Sequence, residues 1–195
     1  MSLINTEVKP FKATAYHNGK FVPVTSDDLK GKWSVVVFYP ADFTFVCPTE
    51  LADIADHLDE IQTLGVKVIS VSADTKYAHL AWRNSEKLLQ NVRFSMGADP
   101  TGGVSKLFGA YDEAAGLTRR GTLIISPAGQ LVSAEIISLN LGRDASELLR
   151  KLKAVTYLAL HPNEACPSKW CPGEPTLKPS EKMVGHVFEA LAEAR

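Results

Sequence analysis

Cysteine is scarce in this sequence, since only three of the 195 residues are cysteines: Cys47, Cys166 and Cys171. Such a small and odd number excludes a framework of disulfides as the basis of the fold. A chain of this length can bury a sizeable hydrophobic core without one. We therefore expect the three thiols to serve catalysis, redox chemistry or metal binding, or to be incidental to function.

An excess of either charge is also lacking, because 21 basic residues are balanced by 22 acidic ones and the formal net charge is −1. This balance gives no electrostatic reason to expect nucleic acid or an anionic membrane as a partner. No apolar run reaches the roughly 18 residues that indicate a membrane-spanning helix. The first residues also lack the basic and apolar regions of a signal peptide, so we expect a cytoplasmic protein.

Several signatures of cofactor and hydrolase chemistry are missing as well. The sequence contains no glycine-rich phosphate loop, no Ser–His–Asp pattern and no haem motif, so we expect no bound cofactor. A zinc site built from Cys166, Cys171, His161 and His186 is an alternative use of the thiols. Their spacing lacks the paired Cys-x-x-Cys of structural zinc sites, and we therefore predict no metal site.

Strand-like and helix-like segments alternate from residue 33 to residue 160. This alternation predicts an α/β sandwich around a largely parallel sheet, which a late hairpin with antiparallel pairing makes mixed. Asp74 is the predicted N-cap of the second helix. The predicted strands are residues 33–39, 66–71, 122–126 and 130–138, and the predicted helices are residues 48–63, 75–89, 104–108 and 144–160.

The two ends of the chain differ from this pattern. Residues 12–16 and 20–24, joined through Asn18-Gly19, predict a separate N-terminal β-hairpin. The last 35 residues contain five of the eleven prolines, and proline disfavours regular structure. We therefore divide the chain into a domain of residues 1–160 and a C-terminal arm of residues 161–195, which carries two cysteines and could reach another subunit.

Cys47 lies just after a predicted buried strand and directly before Pro48, at the start of an amphipathic helix. Proline is well tolerated in the first helical turn. Unpaired N–H groups and the dipole of a helix N-terminus favour an anion, and such positions with nearby cations lower the pKa of a thiol from about 8.5. Cys47 is therefore a candidate nucleophile, the alternative being a buried thiol at a helix start.

The residues before Cys47 form the pattern Pro40-x-x-x-Thr44-x-x-Cys47. This pattern resembles the active-site motif of the peroxiredoxins, and further matching stretches extend over nearly the whole chain. The resemblance implies a thioredoxin-like fold and a peroxidase in which Cys47 is the thiolate that attacks a hydroperoxide. It also implies that the Thr44 hydroxyl hydrogen-bonds the peroxide oxygens and that Pro40 shields the thiolate from water.

Four further residues match positions of the same family. Arg120, at the start of a predicted strand, resembles the arginine that contacts the catalytic sulfur, and its guanidinium stays charged. Arg143, before a predicted helix, resembles a second active-site arginine, and Glu50 would orient the two arginines. Without the resemblance, simple surface roles would explain these three. Trp82 resembles a tryptophan near the active site, but a core aromatic explains it equally well.

The resemblance assigns the second half of the cycle to the C-terminal arm. Cys166 matches the resolving cysteine of typical two-cysteine members, which condenses with the sulfenic acid of a partner subunit. The resemblance thus implies a homodimer, rings of five dimers, and a flavoprotein disulfide reductase or a thioredoxin-like protein as external reductant. Cys171 departs from the family pattern, and it is open whether it is an alternative resolving thiol, a relay to the reductant or an incidental thiol.

A thioredoxin-like disulfide oxidoreductase shares the strand–cysteine–helix arrangement and is the main alternative enzyme. That chemistry uses two thiols in a Cys-x-x-Cys pair, but here Glu50 occupies the second position. The sequence therefore favours peroxide reduction over dithiol exchange as the function of Cys47.

Overall fold

The structure is a computed structural model that describes residues 3–193 of the chain. It divides into two compact units, Met1–Ala145 and Ser146–Arg195. Among the described residues, none of the helices has the length and apolar character needed to cross a lipid bilayer.

The first unit alternates strands and helices along most of its length. Its strands are β1 (Lys12–His17), β2 (Lys20–Thr25), β3 (Ser34–Phe38), β4 (Lys67–Ser72), β5 (Ser95–Ala98), β6 (Tyr111–Asp112), β7 (Leu117–Thr118), β8 (Arg120–Ile125) and β9 (Leu131–Ile137). Its helices are α1 (Cys47–Asp56), α2 (Leu58–Thr63), α3 (Lys76–Ser85) and α4 (Gly103–Leu107), with 3₁₀ turns at Ser26–Leu29 and Lys87–Asn91.

Seven of these strands form one central mixed sheet in the order β2-β1-β5-β4-β3-β8-β9. The predicted α/β fold with a central mixed sheet is thus confirmed. The expectation that the sheet is largely parallel was wrong, because only the β3–β4 and β4–β5 pairings are parallel among the six in this sheet. The cause is that β8 runs antiparallel to β3, and β1 antiparallel to β5.

The N-terminal hairpin is present as β1 and β2, with Asn18 and Gly19 both at positive φ in its turn. It is not separate, however, because β1 pairs with β5 and sets Tyr16 opposite Met96. Tyr16 and Met96 are 80 residues apart in sequence, so their pairing is a tertiary contact that the local turn signal cannot predict. The hairpin therefore extends the main sheet.

The strand β3 is an interior strand of the sheet, between β4 and β8, and all five of its residues are buried. Its β-branched and aromatic side chains suit a strand covered on both faces. Val36 and Phe38 belong to a core cluster with Ile69, Val71 and Leu123 of the adjacent strands. The carboxyl end of β3 is therefore a rigid platform for the loop that follows.

The helix predicted over residues 48–63 is interrupted, since α1 ends at Asp56 and α2 begins at Leu58, with His57 as the capping residue between them. The His57 ring nitrogen Nδ1 lies 2.9 Å from the carbonyl oxygen of Asp53, which the His57 backbone N–H also approaches at 3.3 Å. A side chain that shares a helical carbonyl weakens the regular pattern at that point. The break leaves α1 as a short helix of 10 residues that starts at Cys47.

The second unit contains most of α5 (Ala145–Leu160), a 3₁₀ turn at Glu181–Met183 and α6 (Val187–Glu193). Between α5 and that turn, the proline-rich segment forms one isolated bridge between Ala165 and Leu177. Trp170 is buried and packs on Tyr157 of α5 with ring centroids 4.9 Å apart. The segment is thus irregular, as its prolines predict, but it is held to α5 by an aromatic contact.

Candidate active site

Cys47 is the first residue of α1, which begins a few residues after β3 ends. Its side chain is 0 % exposed. No side chain caps the helix, since the N-cap residue is Val46, and Pro48 stands in the first turn. The sulfur therefore lies at a helix N-terminus that has no capping acceptor, a position that favours a negative charge.

Arg120 brings a cation to this sulfur. Its Nη1 lies 3.4 Å from the Sγ of Cys47 and donates to Oε2 of Glu50 at 2.7 Å. Its Nε donates to the Leu139 carbonyl oxygen at 2.6 Å. Because Arg120 is only 3 % exposed and held from two sides, its guanidinium has one orientation, towards the sulfur.

Glu50 joins Arg120 to the second arginine, Arg143. Its Oε1 accepts from the backbone N–H and Nε of Arg143 at 3.0 and 2.9 Å, and its Oε2 accepts from Nη2 at 2.8 Å. Nη1 of Arg143 also donates to the carbonyl oxygens of Phe38 and Gly121 at 2.9 and 2.8 Å. Arg143 thus ties the end of β3 to the start of β8, and Glu50 holds both guanidinium groups.

The charges of the side chains around the Cys47 sulfur do not balance one another. Two buried guanidinium groups face one buried carboxylate, so the cluster of Arg120, Arg143 and Glu50 carries an excess of one positive charge. Buried charge is expensive unless it is paired. A thiolate at Cys47 neutralises the excess and accepts the hydrogen bond from Arg120. This arrangement can hold a nucleophilic sulfur and stabilise charge that develops next to it.

Thr44 and Pro40 lie in the loop between β3 and α1. The Thr44 hydroxyl donates to the Ala41 carbonyl oxygen at 2.8 Å, so its oxygen lone pairs remain available as acceptors for an O–H group. Pro40 is buried, which is consistent with the predicted shielding role. Phe43, directly before Thr44, has a φ of 56°, an unusual conformation that turns the loop at this point.

A buried polar cluster beneath the same loop was missed by sequence reasoning. The Tyr39 hydroxyl donates to Oδ1 of Asp42 at 2.8 Å, and Nδ1 of His79 lies 2.8 Å from Oδ2. Nε2 of His79 lies 3.1 Å from the Gly97 carbonyl oxygen. Both ring nitrogens therefore face acceptors, so either the ring carries two protons or Asp42 donates one.

The environment of this cluster shifts two of its pKa values. Burial raises the pKa of Asp42, with the hydrogen bond and charge of His79 opposing the effect. Burial, together with the charge of Asp42, raises the pKa of Tyr39 well above its ordinary range. The Asp42 backbone N–H also donates to Oδ2 of Asp74 at 2.8 Å. The cluster thus fastens the loop that carries Pro40 and Thr44 to α3 and β4.

Two predictions for α3 have clear outcomes. The N-cap is Thr75, whose Oγ1 accepts from the Ala78 N–H at 3.3 Å, so the prediction of Asp74 as N-cap was wrong. The Asp74 carboxylate instead accepts from the Ser72 hydroxyl and from the loop at Asp42. Trp82 is 1 % exposed and packs on Tyr39 with centroids 5.9 Å apart, as expected of a core aromatic.

The two remaining cysteines lie in the second unit. Cys166 is half-buried, and burial together with the charge of Glu164 raises the pKa of its thiol, while Arg150 opposes the shift. Cys171 is exposed. Within residues 3–193, no three His, Cys, Asp or Glu side chains converge in a group that could hold a metal ion.

Of the seven predicted site residues, the structure joins Cys47, Glu50, Arg120 and Arg143 by direct hydrogen bonds. Thr44 and Pro40 lie in the adjoining loop. Within the part of the chain that the structure describes, neither of them makes a hydrogen bond to the Cys47 sulfur. The missed His79 had one signal in the sequence, namely its place three residues before Trp82, on the same face of a helix.

Comparison with known proteins agrees with this geometry. The AhpC/TSA family model matches residues 4–134, and the model of the C-terminal domain of 1-Cys peroxiredoxin matches residues 158–190. Alkyl hydroperoxide reductase C of Salmonella typhimurium is 51 % identical over 187 residues, covering 96 % of this chain and 100 % of that protein. The Bacillus subtilis protein of the same name is 48 % identical over the same share of both chains.

Solved structures give the same result. The crystal structure of Enterococcus faecalis AhpC superposes with a TM-score of 0.83 at 44 % identity, covering 86 % of this chain and 100 % of that one. The reduced 2-Cys peroxiredoxin of Plasmodium vivax superposes with a TM-score of 0.88 at 29 % identity, covering 93 % and 96 %. The resemblance drawn from the active-site motif is confirmed, and the chain belongs to the AhpC/TSA family.

Proposed function

We propose that this chain reduces hydrogen peroxide and alkyl hydroperoxides with Cys47 as the attacking thiolate, and so serves antioxidant defence and redox homeostasis. As an AhpC/TSA family member about 50 % identical to alkyl hydroperoxide reductase C proteins, it is a thiol-dependent peroxidase. The observation that supports the role of Cys47 is the hydrogen bond from Arg120 to its sulfur at a helix N-terminus.

In the first step, the Cys47 thiolate attacks one peroxide oxygen, and the O–O bond breaks. The sulfur becomes a sulfenic acid, and the departing oxygen takes a proton and leaves as water or an alcohol. Arg120 is placed to stabilise the thiolate and the charge that moves to the peroxide. The Thr44 oxygen accepts the peroxide O–H, and Pro40 limits water near the sulfur.

In the second step, Cys166 of a partner subunit condenses with the sulfenic acid, releasing water and forming a disulfide. The two Cα atoms must then come within roughly 4.4–6.8 Å, yet the Cys47 side chain is 0 % exposed in this structure. The first turn of α1, which no side chain caps, must therefore open for this step. The resolving arm comprises residues 161–195, and the separate family match to residues 158–190 supports this division.

A complete cycle needs partners outside the chain. A second copy supplies the resolving thiol, so the working unit is a homodimer, and five dimers form the ring that the family resemblance implies. A flavoprotein disulfide reductase or a thioredoxin-like protein then reduces the disulfide. We place this chemistry in the cytoplasm, where reducing systems keep thiols such as these available.

The test is the consumption of hydrogen peroxide and of an alkyl hydroperoxide with dithiothreitol as reductant. Wild type is compared with Cys47→Ser and Cys166→Ser. Loss of turnover in Cys47→Ser, and a single oxidation event without an intersubunit disulfide in Cys166→Ser, are the expected results. Full turnover by Cys47→Ser would overturn the proposal.

A further inference from the structure

Cys166 and Cys171 lie on the two sides of one turn in the second unit. The Trp170 backbone N–H donates to the Pro167 carbonyl oxygen at 3.2 Å, and Lys169 has a φ of 62°. A turn of this kind brings its first and fourth Cα atoms within about 7 Å. Cys166 directly precedes this turn and Cys171 directly follows it, so the chain reverses between the two thiols.

The turn is held in place from several sides. The buried Trp170 ring packs on Tyr157, and its Nε1 donates to the Glu174 carbonyl oxygen at 3.0 Å. The Cys171 backbone N–H donates to the Glu174 carboxylate at 2.9 Å. The turn and the Cys171 that follows it therefore have defined positions relative to α5.

One cation of α5 contacts the turn that lies between the two thiols. The Arg150 Nη1 donates to the carbonyl oxygen of Trp170 at 3.4 Å. Trp170 lies between the two cysteines in the sequence. The pKa of Arg150 is raised chiefly by its hydrogen bond to Glu147, and the negative charges of ionised Cys171 and Cys166 add to the effect. A guanidinium within electrostatic range of both sulfurs stabilises whichever of them is a thiolate, as thiol–disulfide exchange between the two requires.

From this pair of thiols around one turn and one arginine, we propose that Cys171 is a second resolving residue that takes over the disulfide from Cys47. This inference rests on the proposed function, which supplies the Cys47–Cys166 disulfide between subunits. The Cys171 thiolate attacks the sulfur of Cys166, the bond from Cys166 to Cys47 breaks, and Cys47 leaves as a thiolate. One disulfide is exchanged for another, so no further oxidant is consumed.

The direction of the exchange follows from the two possible leaving groups. Attack on the Cys47 sulfur would expel Cys166, a poor leaving group because burial and Glu164 raise the pKa of its thiol. Attack on the Cys166 sulfur expels Cys47, whose thiolate returns to the hydrogen bond of Arg120. The product is a Cys166–Cys171 disulfide within one arm, with the exposed Cys171 accessible to a reductant.

A single turnover without reductant tests the proposal. The reduced full-length protein is treated with one equivalent of hydrogen peroxide, quenched with N-ethylmaleimide at increasing times, and followed by non-reducing electrophoresis. In wild type, the disulfide-linked dimer should form and then give way to monomer in which Cys47 is alkylated. In Cys171→Ser, the dimer should last about tenfold longer or more, because the intramolecular thiol is gone.

Peptide mapping identifies the bond. Trypsin cleaves after Lys169, between the two cysteines, so a Cys166–Cys171 disulfide links two tryptic peptides. Ser168→Ala, which alters an exposed residue of the same turn, is the matched control and should behave as wild type.

A wild-type dimer that persists as long as that of Cys171→Ser would overturn this inference and leave the proposed function intact. A dimer that forms at the wild-type rate in Cys166→Ser would also overturn it, because Cys171 would then resolve Cys47 directly. If wild type forms neither dimer nor linked peptides, or if Cys47→Ser forms the linked peptides, the proposed function fails and the inference fails with it.

Discussion

The guanidinium nitrogen Nη1 of Arg120 lies 3.4 Å from the sulfur of Cys47, although 73 residues separate them in sequence. The antiparallel pairing of β3 and β8 sets Gly121 opposite Phe38, the last residue of β3. Arg120, the first residue of β8, is thereby placed beside the loop that leads to Cys47. The sheet register thus brings the cation to the thiol.

Replacing Arg120 with glutamine should slow the reaction of Cys47 with peroxide by about 100-fold, because one preorganised charged donor is lost next to the sulfur. Stopped-flow measurement of the second-order rate constant checks this expectation. Arg119→Gln is the control, since the neighbouring arginine is half exposed and pairs with Asp112. Equal rates in the two variants would contradict the role of Arg120.

Thr44→Val removes a hydroxyl and nearly preserves the shape of the side chain. We expect a loss of about 100-fold in the rate constant with peroxide, because the acceptor for the peroxide O–H is gone. Thr49→Val is a close control. The Thr49 hydroxyl also donates to a carbonyl oxygen three residues earlier, that of Val46, but Thr49 follows Cys47 in α1 whereas Thr44 precedes it. The Thr49 variant should react at nearly the wild-type rate, and an equal loss in both variants would contradict the role of Thr44.

Glu50→Gln should destabilise the protein, because it leaves the buried guanidinium groups of Arg120 and Arg143 without their shared carboxylate. Breaking a buried ion pair in this way costs about 3–5 kcal/mol. Asp59→Asn, which disrupts the exposed pair with Arg93, should cost about 1 kcal/mol or less. Urea unfolding of both variants measures the difference, and similar losses would show that the Glu50 cluster is not a buried unit.

These residues were accessible from sequence to different degrees. The motif that contains Cys47 and the family match of Arg120, Arg143 and Glu50 predicted which side chains to examine. The hydrogen bonds from Arg143 to the carbonyl oxygens of Phe38 and Gly121 were not predictable, because they depend on where β3 ends and β8 begins in space. Sequence patterns indicate which residues matter, and the sheet determines how they meet.

The parts of the fold that were missed depend on tertiary contacts. The strand β5 is only four residues long and contains Gly97, so its local signal is weak, and it is stabilised by pairing with β1 and β4. His79 reaches Asp42 across 37 residues of sequence. Neither periodicity nor turn signals predict a contact between residues so far apart in sequence, so the buried cluster could be identified only from the structure.

The stability of the protein should depend on pH through Asp42. Since the folded-state pKa of Asp42 is raised, folding favours its protonated form. Its contribution to stability is full below the unfolded pKa of 3.8 and is lost as the pH rises through the higher folded value. The free energy of unfolding of wild type relative to Asp42→Asn should therefore decrease with rising pH in the acid range.

Asp28 provides a control of the opposite sign. The hydrogen bond from the Thr25 backbone lowers its pKa, so its contribution is present above 3.8 and is lost as the pH falls through the lower folded value. Wild type relative to Asp28→Asn should thus gain stability with rising pH. Chemical unfolding of wild type and both variants between about pH 2.5 and about pH 7 covers both transitions and compares the slopes, and slopes of the same sign would refute the assignment.

The most direct measurement of the central claim is the trapping of the oxidised sulfur. A protein with Cys166→Ser and Cys171→Ser, which keeps Cys47 as its one thiol, is treated with one equivalent of hydrogen peroxide and then with dimedone. Mass spectrometry should find one dimedone adduct, on Cys47, and the adduct should form far more slowly when Arg120→Gln is added. Peroxide consumption with Cys47 recovered as an unmodified thiol would contradict the account.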